Sequence, residues 1–172
     1  MSRWRTVAEF STPSEPGGER DVVARVLTAL EPLHMTREAC DRLGTAVAET
    51  VMNAIEHGNH NDPALLVETV VRTDGRTVEV SVSDGGGLRA LPDHPEIPDL
   101  DAKLEGLQRP RGWGLFLVRS MVDAMDVVAD PTDPSRHTAR LRMTVVRDDT
   151  PDAPSAPDAP PAPEGPRHAE HV

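Results

Sequence analysis

The sequence predicts a two-layer α/β (α+β) sandwich, with helices layered on one face of a mixed, mostly antiparallel sheet. Three observations carry this. Two amphipathic helix patterns follow one another in the first third of the chain. Two alternating apolar runs are joined by a short polar turn, as in a hairpin. A third helix pattern then precedes two further strand-like runs.

The elements follow in order. Trp4, Val7 and Phe10 among polar residues suggest a first strand, and Thr12 to Gly18 reads as a loop. Val22, Val23, Val26, Leu27 and Leu30 recur at helical spacing, and Pro32 ends that helix. Thr36 is the expected N-cap of the next, with Glu38 placed to favour the dipole of its first turn. Along it Ala39, Leu43, Val47, Val51 and Ile55 step by four on one face, and Gly58 closes it. Leu65, Val67, Thr69 and Val71 alternate, as do Val78, Val80 and Val82, with the Thr73-Asp74-Gly75-Arg76 turn between them. From Leu88 to Pro110 the pattern dissolves under Pro92, Pro95, Pro98 and Pro110, and a connection this long implies a lid or disorder. Leu115, Val118, Met121, Val122 and Met125 mark a third helix, and Val127 to Ala129 and Thr138 to Val146 two last strands.

Bulk properties narrow the function. The 172 residues suit one domain, assigned to residues 1–147. The remaining residues, 148–172, hold six acids against Arg167 alone and are rich in Pro and Ala, so they read as a disordered acidic tail. Of the formal net charge of −11, the body keeps about −6, which argues against a phosphate-backbone partner and hence against nucleic acid. Cys40 is the single cysteine, so no intrachain disulfide forms, and it reads as a small buried residue. No apolar run nears the roughly 20 residues that span a bilayer, and no signal peptide is visible; the expectation is a cytoplasmic protein without a membrane partner.

Three segments carry chemistry. On the second helix Glu49, Asn53 and His57 lie four apart on one face, directed away from the apolar row. Such a stripe is either a solvated face or a site. As a site, the Asn amide oxygen suits Mg²⁺ and the Glu could take a proton from an attacking hydroxyl. Asp84 shares the parity of Val78, Val80 and Val82, so it extends the apolar row of its strand. A carboxylate there either caps a turn with Gly85 and Gly86 or finds a donor such as an adenine amino group. Arg111-Gly112-Trp113-Gly114-Leu115 opens the third helix, where exposed N–H groups and the helix dipole favour an anion, and Arg111 could reach a terminal phosphate. No lysine and Ser/Thr follow the glycines as in a Walker loop, and the segment does not follow a strand as in a dinucleotide fold. His57, His60 and Asp62 lack the partners of a structural zinc site.

Together these segments resemble the ATP-binding fold shared by histidine kinases, gyrase-type ATPases and serine-kinase anti-sigma factors. Glu49 to Gly58 is similar to that family's N box, Asp84-Gly85-Gly86 to its first glycine box and Arg111 to Leu115 to its second. The resemblance implies Glu49 as general base and Asn53 as Mg²⁺ ligand. Nucleotide contacts would come from Asn53, His57, Asp84, Gly86, Arg111, Gly112, Trp113, Gly114, Leu115 and Thr138, with residues 88–110 as the lid. Leu88 stands where the family's first box usually ends in glycine. A free-standing domain of this size most resembles the bacterial anti-sigma serine/threonine kinases. That branch implies ATP and Mg²⁺, a sigma factor and an anti-sigma-factor antagonist as partners, and a homodimer. The alternatives are a nucleotide-gated binding module without catalysis and an interaction protein with a vestigial site.

Overall fold

The computed structural model describes residues 3–85, 113–133 and 135–147. Gly86, Arg111, Gly112, the expected lid 88–110 and the tail 148–172 lie outside the described residues. The elements are β1 (Arg5–Pro13), α1 (Gly18–Leu30), α2 (Arg37–Asn53), β2 (Leu66–Thr73), β3 (Thr77–Asp84), α3 (Trp113–Met121), β4 (Ala124–Ala129) and β5 (His137–Thr144). The five strands form one sheet in the order β1-β2-β3-β5-β4. Every neighbouring pair is antiparallel, so the expected mixed sheet is antiparallel throughout the described residues.

One face of the sheet holds the core. Val67 and Val71 of β2, Val78, Val80 and Val82 of β3, and Leu141 and Met143 of β5 are buried against the helices. The opposite face is polar: Arg142 Nε lies 2.7 Å from Glu79 Oε2, Arg140 Nε donates to Asp126 Oδ2 at 2.9 Å, and Arg136 pairs with Glu68. These pairs are partly exposed and contribute little each, but they mark which face meets solvent.

α2 is the central helix. The Ala39 N–H donates to Thr36 Oγ1 at 3.2 Å, the expected N-cap. Ala39, Leu43, Val47, Val51 and Ile55 are all buried, as their spacing predicts. α1 packs on one flank of α2: a Cβ built at Gly44 would lie 3.4 Å from Val23 Cγ1 and 3.6 Å from Leu27 Cδ1. Pro32 sits in a 3₁₀ turn, Glu31–Leu33, directly after α1. Cys40 is half-buried rather than buried. Burial and the neighbouring Asp41 charge hold its thiol above the ordinary value, which disfavours the thiolate.

Several boundaries differ from the sequence pattern: β4 starts at Ala124 and β5 ends at Thr144, and two further differences bear on the turns. β1 runs on to Pro13, shortening the first loop. α3 ends at Met121, and Met125 belongs to β4, opposite Leu141. The reversal is fixed at Asp123, whose N–H donates to Arg142 O at 2.9 Å and whose Oδ2 accepts the Thr144 N–H at 2.6 Å. Those bonds tie the chain to β5 and leave no room for another helical turn. Val122 and Met125 therefore imitate helix spacing across a turn. Among the described residues no helix is long and apolar enough to cross a membrane.

Candidate functional site

α2 does not end as a regular helix. Its last turn widens into a π turn, Ala54–Gly58, in which the Asn59 N–H donates to Ala54 O at 2.8 Å. Such wide turns concentrate at functional positions. Here the turn carries Gly58 up to the end of β3. A Cβ built at Gly58 would stand 2.9 Å from the Asp84 Cβ and 2.5 Å from its Oδ1, so only glycine allows this approach.

Asn59 locks the same corner. It is fully buried, and its Nδ2 donates to Ser14 Oγ at 2.8 Å and to Leu66 O at 3.2 Å. Its Oδ1 accepts the Gly85 N–H at 2.9 Å. One amide thus binds the end of β1, the start of β2 and the glycine that follows Asp84. Asn59 was not a candidate from the sequence, because a polar residue in a Gly-Asn-His-Asn turn gives no sign of burial.

The other flank of α2 meets α3. A Cβ at Gly114 would lie 2.7 Å from Glu49 Oε2 and 3.7 Å from Asn53 Nδ2. The start of α3 therefore rests against the two residues assigned to proton and metal chemistry. Both are half-buried, not on a solvated stripe. α3 is held there by Leu115 and Val118, buried on its apolar side, and by buried Val122 just after its end. Leu115 is consequently a packing residue, whose backbone alone remains for an anion.

Glu49, Asn53 and Gly114 come together, as do Gly58 and Asp84, and the π turn joins the two groups. His57 lies exposed on that turn. Trp113 is the first residue of α3. Thr138 does not join them. It pairs with Ser83, and the two hydroxyls are 2.7 Å apart on the sheet face opposite to Asp84. The residue facing Asp84 on the inner side is His137, which is buried. Counting back by two from the apolar Leu141 and Met143 would have placed 137, not 138, on the inner row.

The pieces suit a nucleotide. Half-buried Asp84 offers an acceptor beside a glycine that a flat ring can approach. The start of a nine-residue helix faces Glu49 and Asn53. An amide oxygen at Asn53 suits Mg²⁺, which takes few protein ligands and keeps waters and phosphate oxygens for the rest.

A sheet covered on one face by helices, with this corner at the end of the central helix, defines the class. The chain belongs to the histidine kinase-like ATPase domain family, whose model matches residues 12–145. It is similar to the anti-sigma F factor of Oceanobacillus iheyensis, with 31% identity over 134 residues, covering 76% of this chain and 86% of that protein. It is also similar to the anti-sigma F factor of Geobacillus stearothermophilus, with 32% identity over 125 residues, covering 71% and 81%. In fold it is similar to the crystal structure of the RsbU and RsbW domains of Rv1364c from Mycobacterium tuberculosis. That match has a TM-score of 0.53 and 20% identity, and covers 81% of this chain and 34% of that one.

Proposed function

We propose that this chain is an ATP-binding anti-sigma regulator that acts as a serine/threonine protein kinase on an anti-sigma-factor antagonist, in the bacterial cytoplasm. The observation that carries the reading is the close approach of Gly114, at the start of α3, to Glu49 and Asn53, and it supports Glu49 as base and Asn53 as metal ligand. The anti-sigma F factor relatives support the regulatory half of the reading.

In this reading Asp84 accepts a hydrogen bond from the adenine amino group. The start of α3 would face the phosphates, and the Asn53 amide oxygen would hold Mg²⁺. Bound Mg²⁺ would neutralise charge on the phosphate oxygens. A serine or threonine hydroxyl oxygen of the antagonist forms a bond to the γ-phosphorus as the bond from that phosphorus to the β–γ bridging oxygen breaks. Glu49 takes the hydroxyl proton, and ADP leaves. Binding of a sigma factor, release through the phosphorylated antagonist and a homodimer complete the proposal.

The test captures the antagonist on immobilised protein and follows label from MgATP carrying radioactive γ-phosphate. Label on serine or threonine with wild type, and its loss by a factor of about 10² or more in Glu49→Gln, is the expected result. Capture and tight ATP binding with no label on any captured protein would replace the kinase by a nucleotide-gated binding module.

A further inference from the structure

His137 carries a polar atom that the proposed chemistry does not use. It is the first residue of β5 and only 8% exposed, and its Nε2 is buried with no hydrogen-bond partner among the described residues. Native proteins rarely leave such an atom unpaired unless a ligand or water completes it.

Its position says which ligand. The register pairs His137 directly with Asp84 across the β3–β5 ladder. Directly opposed residues share a sheet face, with Cβ atoms about 5 Å apart. That face is the inner one, shared with Val82 and Leu141, and its end is the corner where Gly58 meets Asp84. The other two unpaired buried side-chain atoms among the described residues, the Thr12 and Thr69 hydroxyls, lie on β1 and β2, across β3 from β5. Of the three, only His137 stands beside Asp84 in the ladder.

We propose that His137 is a base-reading residue: its Nε2–H donates to the ring nitrogen that flanks the adenine amino group. The inference rests on the ATP reading above. Asp84 and His137 then present an acceptor and a donor side by side. Adenine offers the complement, an amino donor beside an unprotonated ring nitrogen. Guanine offers a carbonyl oxygen in place of the amino group, opposite the Asp84 carboxylate. The pair therefore selects adenine over guanine, which a carboxylate alone would not do, because it can also accept from the guanine N1–H and amino group.

Calorimetric titration of the full chain tests this with ATP, GTP and the 1-deaza and 7-deaza analogues of ATP. Wild type is expected to prefer ATP to GTP and to lose about tenfold in affinity with the deaza analogue that lacks the contacted nitrogen. His137→Ala is expected to lose about tenfold for ATP and nothing further for that analogue, the signature of one shared contact. His137→Gln, which keeps a donor, should stay within a few-fold of wild type. Equal binding of ATP and both deaza analogues by wild type overturns the assignment without relying on any variant. A His137→Ala protein that loses equally for ATP and both analogues also overturns it, because the residue is then structural. Wild type that binds no ATP overturns the nucleotide reading together with this one.

Discussion

Gly58→Ala separates the site from the fold more sharply than any other single change. A Cβ at Gly58 would lie 2.9 Å from the Asp84 Cβ, well inside van der Waals contact. Gly58 is not held at positive φ, so alanine is opposed only by that neighbour. Overpacking costs about 1–3 kcal/mol, while alanine in a helical turn recovers up to about 1 kcal/mol over glycine. The net loss of stability is therefore about 0–3 kcal/mol, a fall in Tm of at most about 12 °C. The effect on the ligand is larger. β3 is clamped between β2 and β5, so relief must come from moving the Asp84 side chain. A hydrogen bond to a charged group contributes about 1.5–3 kcal/mol, so ATP affinity should fall roughly 10- to 150-fold. Calorimetry gives the affinity and urea unfolding the stability. Gly75→Ala is the control: it sits at φ 87 with nothing within 4 Å of an added Cβ. It should cost about 1–2 kcal/mol of stability and leave ATP binding unchanged. A folded Gly58→Ala protein with wild-type ATP affinity would refute the argument that this glycine sets the position of Asp84.

Two further predictions concern the frame. Asn59→Ala removes the partners of the Ser14 hydroxyl, Leu66 O and the Gly85 N–H, and should destabilise by about 2–4 kcal/mol in urea unfolding; a loss under 1 kcal/mol would mean the buried amide is not a clamp. The Asp123 carboxyl is held below its ordinary range by its hydrogen bonds with Thr144. A depressed folded value means its contribution is present above the unfolded value of about 3.9 and is lost as pH falls below it. Asp123→Asn should therefore flatten the stability profile on the acid side of pH 4 and leave it unchanged in shape at neutral pH, measured by thermal unfolding; an identical acid slope in the two proteins would remove the role of that carboxylate.

Much of the fold was legible because it depends on periodicity. The step-of-four row of α2 and the alternation of β2 and β3 bury the residues their spacing selects, except Leu65, which lies exposed just before β2. The Thr36 cap and the Thr73–Arg76 turn follow from local hydrogen bonding, and Asp74 Oδ1 accepts the Arg76 and Thr77 N–H groups at 2.9 and 2.8 Å. The end of α3 was not legible, because the Asp123 bonds that stop it reach residues 19 and 21 positions away, in β5. In the site, the approach of Gly114 to Glu49 makes sense of the two glycine-marked segments, yet nothing local announces which flank of α2 they meet. Asn59 needed its non-local hydrogen bonds, and the placing of His137 rather than Thr138 on the face of Asp84 needed the register. A one-residue change of register moves a side chain to the other face of a sheet, and the apolar row of β5 was the signal that fixed it.

The most direct test of the central claim is calorimetric titration of the full chain with ATP, with and without Mg²⁺, beside Asp84→Ala and Asn53→Ala. Micromolar binding by wild type, about −8 kcal/mol, is expected, with loss of binding in Asp84→Ala and loss of the Mg²⁺ dependence in Asn53→Ala. ATP binding that is equal in all three proteins would contradict the placement of the nucleotide at the corner of α2, β3 and α3. No binding of any adenine nucleotide by folded wild type would leave a member of the family that has kept the fold without its ligand.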